Sequence, residues 1–151
     1  MTATMIGEDE IRALIPHAGR MCFWQTVTDW DEAGIRCVTN THRDPAHPLR
    51  RDGQLSAIHL AEYGAQAMAI HGGLLARRDS GGKAAPGMLA SLRDFEMQVQ
   101  RVDDVDTALT VHARKLVAGA GGAIYEFEIS AGSRKLASGR VSVIPMGVAA
   151  A

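Results

Sequence analysis

The feature that most constrains the fold is a long apolar segment at residues 53–75. Its apolar residues recur at helical spacing over some six turns: Leu55, Ile58, Ala61, Ala65, Met68, Gly72 and Leu75. Many of its other residues are Ala or Gly, which let another element lie close to the helix axis. We therefore predict one long helix from Gly53 to Leu75, with Asp52 as its N-cap, that is buried on several sides.

The rest of the chain predicts an antiparallel sheet around this helix. The pattern of apolar and polar residues predicts strands in six segments, which are separated by Gly-rich or Asp-rich turns or by loops. The segments are residues 21–30, 35–41, 87–99, 108–117, 123–130 and 135–144. A short helix at residues 7–15 opens with three acidic residues, and a disordered tail is expected at 146–151. The sequence thus predicts a single α+β domain over residues 1–151, a sheet wrapped round a long central helix.

Composition narrows the range of functions. The 151 residues carry 16 Lys and Arg against 17 Asp and Glu, without the basic excess of a nucleic-acid binder. No stretch of 18 apolar residues predicts a membrane span, and no secretory signal pattern is present, so we expect a cytoplasmic protein. The sequence has no phosphate-binding loop, dinucleotide fingerprint or zinc-ligand spacing. Neither a cofactor nor a metal is expected.

Three short motifs resemble one enzyme family. Residues 11–17 (IRALIPH) are similar to an opening I-x-x-L-L-P-H, residues 40–47 to an N-x-x-x-x-x-P loop that leads to a His, and residues 62–66 (EYGAQ) to a helical E-A-x-A-Q. Together they resemble the hotdog-fold 3-hydroxyacyl-acyl-carrier-protein dehydratases. The runs around His47 and Glu62 most resemble the divergent predicted dehydratases of aryl-polyene-type gene clusters. The family's G-H-F-P-G is here Ala46 to Arg50 (AHPLR).

The resemblance implies a fold, a reaction and partners. It implies a hotdog fold and a hydro-lyase that converts a 3-hydroxyacyl thioester on acyl carrier protein to the trans-2-enoyl thioester, in fatty-acid or polyene-type lipid biosynthesis. It implies that His47 and Glu62 are catalytic, one from each subunit of a dimer. The expected partners are the carrier's 4′-phosphopantetheine-linked acyl chain and a second subunit. That subunit makes a homodimer, a higher homo-oligomer or a heterodimer with a related dehydratase.

The residue types suit this chemistry. His has an ordinary pKa near 6.5 and suits a base at neutral pH, whereas burial of Glu62 in an apolar helix would favour its protonated, acidic form. Backbone N–H groups near Gly53, at the expected helix N-terminus, could bind the developing oxyanion. His59, Glu62 and Gln66 lie within about 60° of one another on a helix, so His59 and Gln66 are candidate substrate-binding residues.

Several alternatives remain open at this point. Glu62 and Gln66 could be buried polar groups that bind loop backbone, His47 could order its loop, and His59 could be structural. A thioesterase in which Glu62 activates water is a second function, and a non-catalytic acyl-thioester-binding partner of an active dehydratase is a third. The reaction product separates the first two functions, and the geometry of His47 and Glu62 bears on the third.

Overall fold

The computed structural model describes residues 5–15, 21–81, 87–119 and 121–145. Two α-helices and six strands follow the expected order: α1 (Glu8–Leu14), β1 (Thr26–Trp30), β2 (Gly34–Thr39), α2 (Leu60–Ser80), β3 (Gly87–Met97), β4 (Leu109–Gly119), β5 (Gly122–Ala131) and β6 (Arg134–Pro145). Short 3-10 turns at Thr41–Arg43 and Ala57–His59 lie between β2 and α2. All six predicted strands are present, but β1 begins at Thr26 rather than at residue 21, and β2 and β3 end at Thr39 and Met97 rather than at residues 41 and 99.

The six strands form one antiparallel sheet in the order β1-β2-β4-β5-β6-β3. Strands β4, β5 and β6 follow one another by tight turns, and α2 with β3 is inserted between β2 and β4 in the chain. The sheet packs round α2, which contacts β2, β3, β4, β5 and β6. This confirms the predicted α+β architecture. None of the helices in the described ranges is both long and apolar enough to cross a membrane.

The core lies between α2 and the inner face of the sheet. Its largest fully buried side chains include Trp24, Tyr63, Phe23, Leu60, Ile70, Leu74 and Leu109. The small residues of α2 allow the close approach expected from the sequence. A Cβ added at Gly64 would lie 2.7 Å from ring carbons of Phe127 on β5, so the ring occupies the space that a side chain would need.

The start of the central helix was predicted wrongly. The α-helix begins at Leu60 rather than at Gly53, and Asp52 is not its N-cap. Asp52 and Gly53 have φ angles of 53° and 75°, and they form a tight turn closed by pairing of Arg51 with Gln54. Leu55 and Ser56 are extended instead, because Val102 N–H donates to the Leu55 carbonyl at 2.9 Å and holds this segment beside residues 100–102.

The other helix boundaries differ less from the prediction. Ser56 caps the 3-10 turn that precedes α2, and its hydroxyl accepts the Ile58 N–H at 3.3 Å. At the far end α2 continues to Ser80, and Gly81 ends it with a left-handed φ of 70°. The first helix spans Glu8–Leu14 instead of 7–15. The predicted tail at 146–151 and the Pro-His of the first motif lie outside the described residues.

Candidate functional site

The loop between β2 and α2 holds His47 through its own hydrogen bonds. The Asp44 side chain accepts the Ala46 N–H at 2.8 Å, and the Asp44 carbonyl accepts the His47 N–H at 3.0 Å. The guanidinium of Arg50 donates to the carbonyls of His42, at 3.2 Å, and Gly53, at 2.8 Å. These contacts close the loop without the glycines of the related motif, and they fix the direction of the His47 side chain.

His47 is buried, and both of its ring nitrogens contact groups of this chain. Only 5% of the residue is exposed, and its ring centroid lies 4.8 Å from that of Phe23. Nδ1 accepts the Leu49 N–H at 3.1 Å, and Nε2 lies 3.1 Å from the Tyr63 hydroxyl. A neutral imidazole has one N–H and one lone pair, so the contact with Leu49 assigns the proton to Nε2.

Burial keeps His47 neutral. Its pKa is lowered to about 4, mainly by loss of solvation and to a smaller extent by the nearby charges of His59 and Arg50. At neutral pH the ring is therefore uncharged, which is the form that a base requires. Its one lone pair is the one that receives the Leu49 N–H.

Tyr63 is a site residue that the sequence analysis did not single out. It is fully buried in the first turn of α2, and its hydroxyl lies 2.9 Å from the Thr41 hydroxyl. Thr41 donates in turn to the Phe23 carbonyl at 2.8 Å. Desolvation raises the Tyr63 pKa, so the phenol stays protonated. Tyr63 stands where the related E-A-x-A-Q motif has Ala, and this difference was the signal available in the sequence.

Gln66 connects Glu62 to the segment before β1. It is 1% exposed, and its Oε1 accepts the Phe23 N–H at 2.9 Å. Its Nε2 donates to the Met21 carbonyl at 2.7 Å and to Glu62 Oε2 at 3.2 Å. Both amide protons are thus used by groups of this chain. The half-buried Glu62 shares a helix face with Gln66, as their spacing predicted.

Two separate hydrogen-bond series end at the backbone of Phe23. One runs from His47 through Tyr63 and Thr41 to the Phe23 carbonyl, and the other runs from the Phe23 N–H through Gln66 to Glu62. Glu62 and Tyr63 are consecutive on α2 and project about 100° apart. The Tyr63 hydroxyl contacts His47 and Thr41, whereas the Glu62 carboxylate accepts from Gln66.

The two remaining predicted residues, His59 and Gly53, both precede the start of α2. His59 is half-buried, and desolvation together with the charge of Arg51 lowers its pKa. Gly53 lies in the exposed turn, seven residues before α2, and its carbonyl accepts from Arg50. Its expected place at a helix N-terminus is therefore wrong, because the chain is extended between that turn and the 3-10 turn. In the described part of the chain, no cluster of three His, Cys, Asp or Glu residues could hold a metal ion.

The fold, one antiparallel sheet packed round a long helix, is that of a hotdog protein. The family model described as "ApeP-like: ApeP dehydratase" matches residues 9–150. The chain belongs to the ApeP-like dehydratase family. This confirms the resemblance found in the sequence motifs. No curated protein matches the chain.

Solved structures share the fold. The dehydratase heterocomplex ApeI:P from Xenorhabdus doucetiae matches with a TM-score of 0.80 at 23% identity, over 89% of this chain and 90% of that one. The sigma28-regulated virulence protein Cj0977 from Campylobacter jejuni matches with a TM-score of 0.60 at 12% identity, over 92% and 89%. A hypothetical thioesterase from Streptococcus pneumoniae gives 0.54 at 15% identity, over 80% and 89%. These similarities confirm the hotdog fold.

Proposed function

We propose that this chain is a subunit of a hydro-lyase that dehydrates a 3-hydroxyacyl thioester on acyl carrier protein to the trans-2-enoyl thioester. The observation that carries the proposal is the family match, together with the hydrogen bonds that hold both His47 and Glu62, through their neighbours, to the backbone of Phe23. Dehydration removes a proton from C2 and hydroxide from C3, so it needs proton-transferring and hydrogen-bonding groups at one place. Glu62 and His47 are the residues that we propose for this site.

The second subunit is part of the proposal. In the described part of the chain, strand β3 pairs with β6 on one side only, and we propose that its other edge pairs with a second copy or with a related chain. The similar ApeI:P structure is a heterocomplex, which supports a heterodimer with a related dehydratase beside the homodimer. We place this assembly in the cytoplasm, with the acyl chain of the carrier's phosphopantetheine arm as its substrate.

The test is turnover of a 3-hydroxyacyl thioester on a carrier protein, followed by mass spectrometry. The wild-type assembly should release water and form the enoyl thioester, and Glu62→Ala should abolish this reaction with little change in melting temperature. Glu128→Ala, which removes an exposed carboxylate from the middle of β5, is the matched control and should keep full turnover.

Other products would identify another function. Release of a free acid would indicate a thioesterase, in agreement with the similar fold of the hypothetical thioesterase. Binding of the acyl carrier without conversion, by this chain alone or with its partner subunit, would indicate the non-catalytic role. A large fall in the melting temperature of Glu62→Ala, with turnover retained by the folded fraction, would make Glu62 a structural residue, since unpaired buried partners cost about 1–3 kcal/mol.

A further inference from the structure

We propose that Arg50 is a positioning residue of the candidate site, whose guanidinium closes the loop between β2 and α2 and thereby fixes the place of the His47 ring. The inference rests on the proposed function only for its effect on turnover, and it holds whichever subunit supplies the carboxylate that works with His47. Arg50 stands where the related G-H-F-P-G motif has its last glycine. The evidence is the way in which this loop is built.

Two successive tight turns carry His47. The His47 N–H donates to the Asp44 carbonyl at 3.0 Å, and the Arg50 N–H donates to the His47 carbonyl at 3.1 Å. Pro45 and Pro48 each occupy the second position of one of these four-residue turns, where the fixed φ angle of proline is favoured. His47 ends the first turn and begins the second, so its backbone is held on both sides without glycine.

The Arg50 side chain joins the two ends of this loop. Its terminal nitrogens donate to two different backbone carbonyls, that of His42 at 3.2 Å and that of Gly53 at 2.8 Å. These carbonyls lie eight residues before Arg50 and three residues after it. The Nε atom is buried, so the guanidinium lies inside the loop. A guanidinium presents its donors in a rigid planar fork, whereas the ammonium of Lys is a flexible point charge.

The rest of the fold anchors both ends of the loop. At one end His42 is fully buried, and its Nε2 lies 3.0 Å from the Val105 carbonyl. At the other end the Leu55 N–H donates to the Asp103 side chain at 2.8 Å. The two turns that carry the histidine ring therefore lie between two fixed ends, which Arg50 connects. Without this connection the turns would be held only by their own backbone hydrogen bonds and by the contacts of the ring.

The charges around His47 allow its titration to report on the loop. The pKa of His47 is lowered to about 4, mainly by burial and to a smaller extent by the charges of His59, Arg50 and His42, whereas Asp44 acts in the opposite direction. The two aromatic side chains in contact with the ring are uncharged: Phe23 and Tyr63. A loop that is released from Arg50 would let water reach the ring, and the pKa would rise.

Three variants separate closure of the loop from the presence of a charge. Arg50→Met keeps the apolar part of the side chain but removes its donors, and Arg50→Lys keeps the charge but loses the planar fork. Arg51→Met is the matched control, because Arg51 is the next residue in the chain and is exposed. After burial, the charge of Arg51 is the group that lowers the pKa of His59.

Amide hydrogen exchange and NMR titration of His47, both in the full-length protein, test the inference without substrate. In Arg50→Met and Arg50→Lys, the amides of residues 47 and 50 should exchange at least about tenfold faster than in wild type, relative to the amides of β5 in the same sample, because a hydrogen bond to a charged group is lost. The pKa of His47 should rise toward its ordinary value in both variants. Arg51→Met should change neither quantity. Wild-type exchange of the loop amides and wild-type titration of His47 in Arg50→Met would overturn the inference.

Turnover of the 3-hydroxyacyl thioester gives the test that depends on the proposed function. Arg50→Lys should lower kcat by about tenfold or more and leave KM within about twofold, because the loop no longer holds the ring in one place. Wild-type kcat in Arg50→Lys, in a sample whose loop amides exchange fast, would overturn the positioning role. A wild type that converts no 3-hydroxyacyl thioester would refute the proposed function instead, and the exchange and titration results would still decide whether Arg50 holds the loop.

Discussion

Acidification should destabilise the native state through His47 in a defined pH range. Its pKa is about 4 in the folded chain and near 6.5 when the chain is unfolded, because burial disfavours the charged ring. The stabilisation from the neutral ring is therefore complete above pH 6.5 and is lost as the pH falls toward 4. Asp44 favours protonation of the ring, whereas His42, His59 and Arg50 oppose it.

The size of this effect follows from the two pKa values. Their difference corresponds to about 3 kcal/mol of unfolding free energy, of which roughly 2 kcal/mol is lost by pH 5. Urea denaturation at pH 7.5, 6 and 5, at constant protein concentration, measures the change in wild type and in His47→Gln. The other histidines titrate in both proteins, so the difference between the two pH profiles isolates His47. Parallel profiles would refute the reasoning, since they would mean that His47 titrates alike in the folded and unfolded states.

Two further predictions concern packing and assembly. Gly64→Ala should destabilise the protein by about 1–3 kcal/mol in the same denaturation assay, because the added Cβ would meet the Phe127 ring. Gly72→Ala is the control with no atom near its added Cβ, and it should be neutral or stabilising by up to about 1 kcal/mol; an equal loss in both variants would contradict this account. Sedimentation at micromolar concentration should show a dimer or larger species, because we propose that the other edge of β3 pairs with another chain. A stable monomer would disprove that expectation.

The strands could be predicted from the sequence because their signal is local. Apolar and polar residues alternate along residues 122–131 and 134–145, for example. This alternation agrees with the burial pattern of β5 and with the residue-by-residue pairing of β5 with β6. The start of α2 could not be predicted in this way. Leu55 has helical spacing, but it is held extended by a bond with Val102, a residue 47 positions later in the chain.

The site was predicted only in part, because some of its contacts are local in the sequence and others join distant residues. Motif order identified His47, Glu62 and Gln66 as polar residues of one region, and the helical spacing correctly placed Glu62 beside Gln66. Both His47 and Glu62 are held through their neighbours to the backbone of Phe23, which a sequence pattern does not reveal. Gly53 was expected at a helix N-terminus because the helix start was predicted wrongly, and α2 in fact begins at Leu60.

The central claim is a dehydratase site that depends on Glu62, and the reverse reaction tests it most directly. The reverse reaction, hydration of a trans-2-enoyl thioester on a carrier protein, is run in D2O with the assembled wild type and with Glu62→Gln, which keeps the shape but cannot carry a proton. We predict a 3-hydroxyacyl thioester with one deuterium at C2 from the wild type and no product above background from the variant. Hydration and deuterium incorporation by Glu62→Gln at the wild-type rate, or no hydration by the wild-type assembly, would contradict the account.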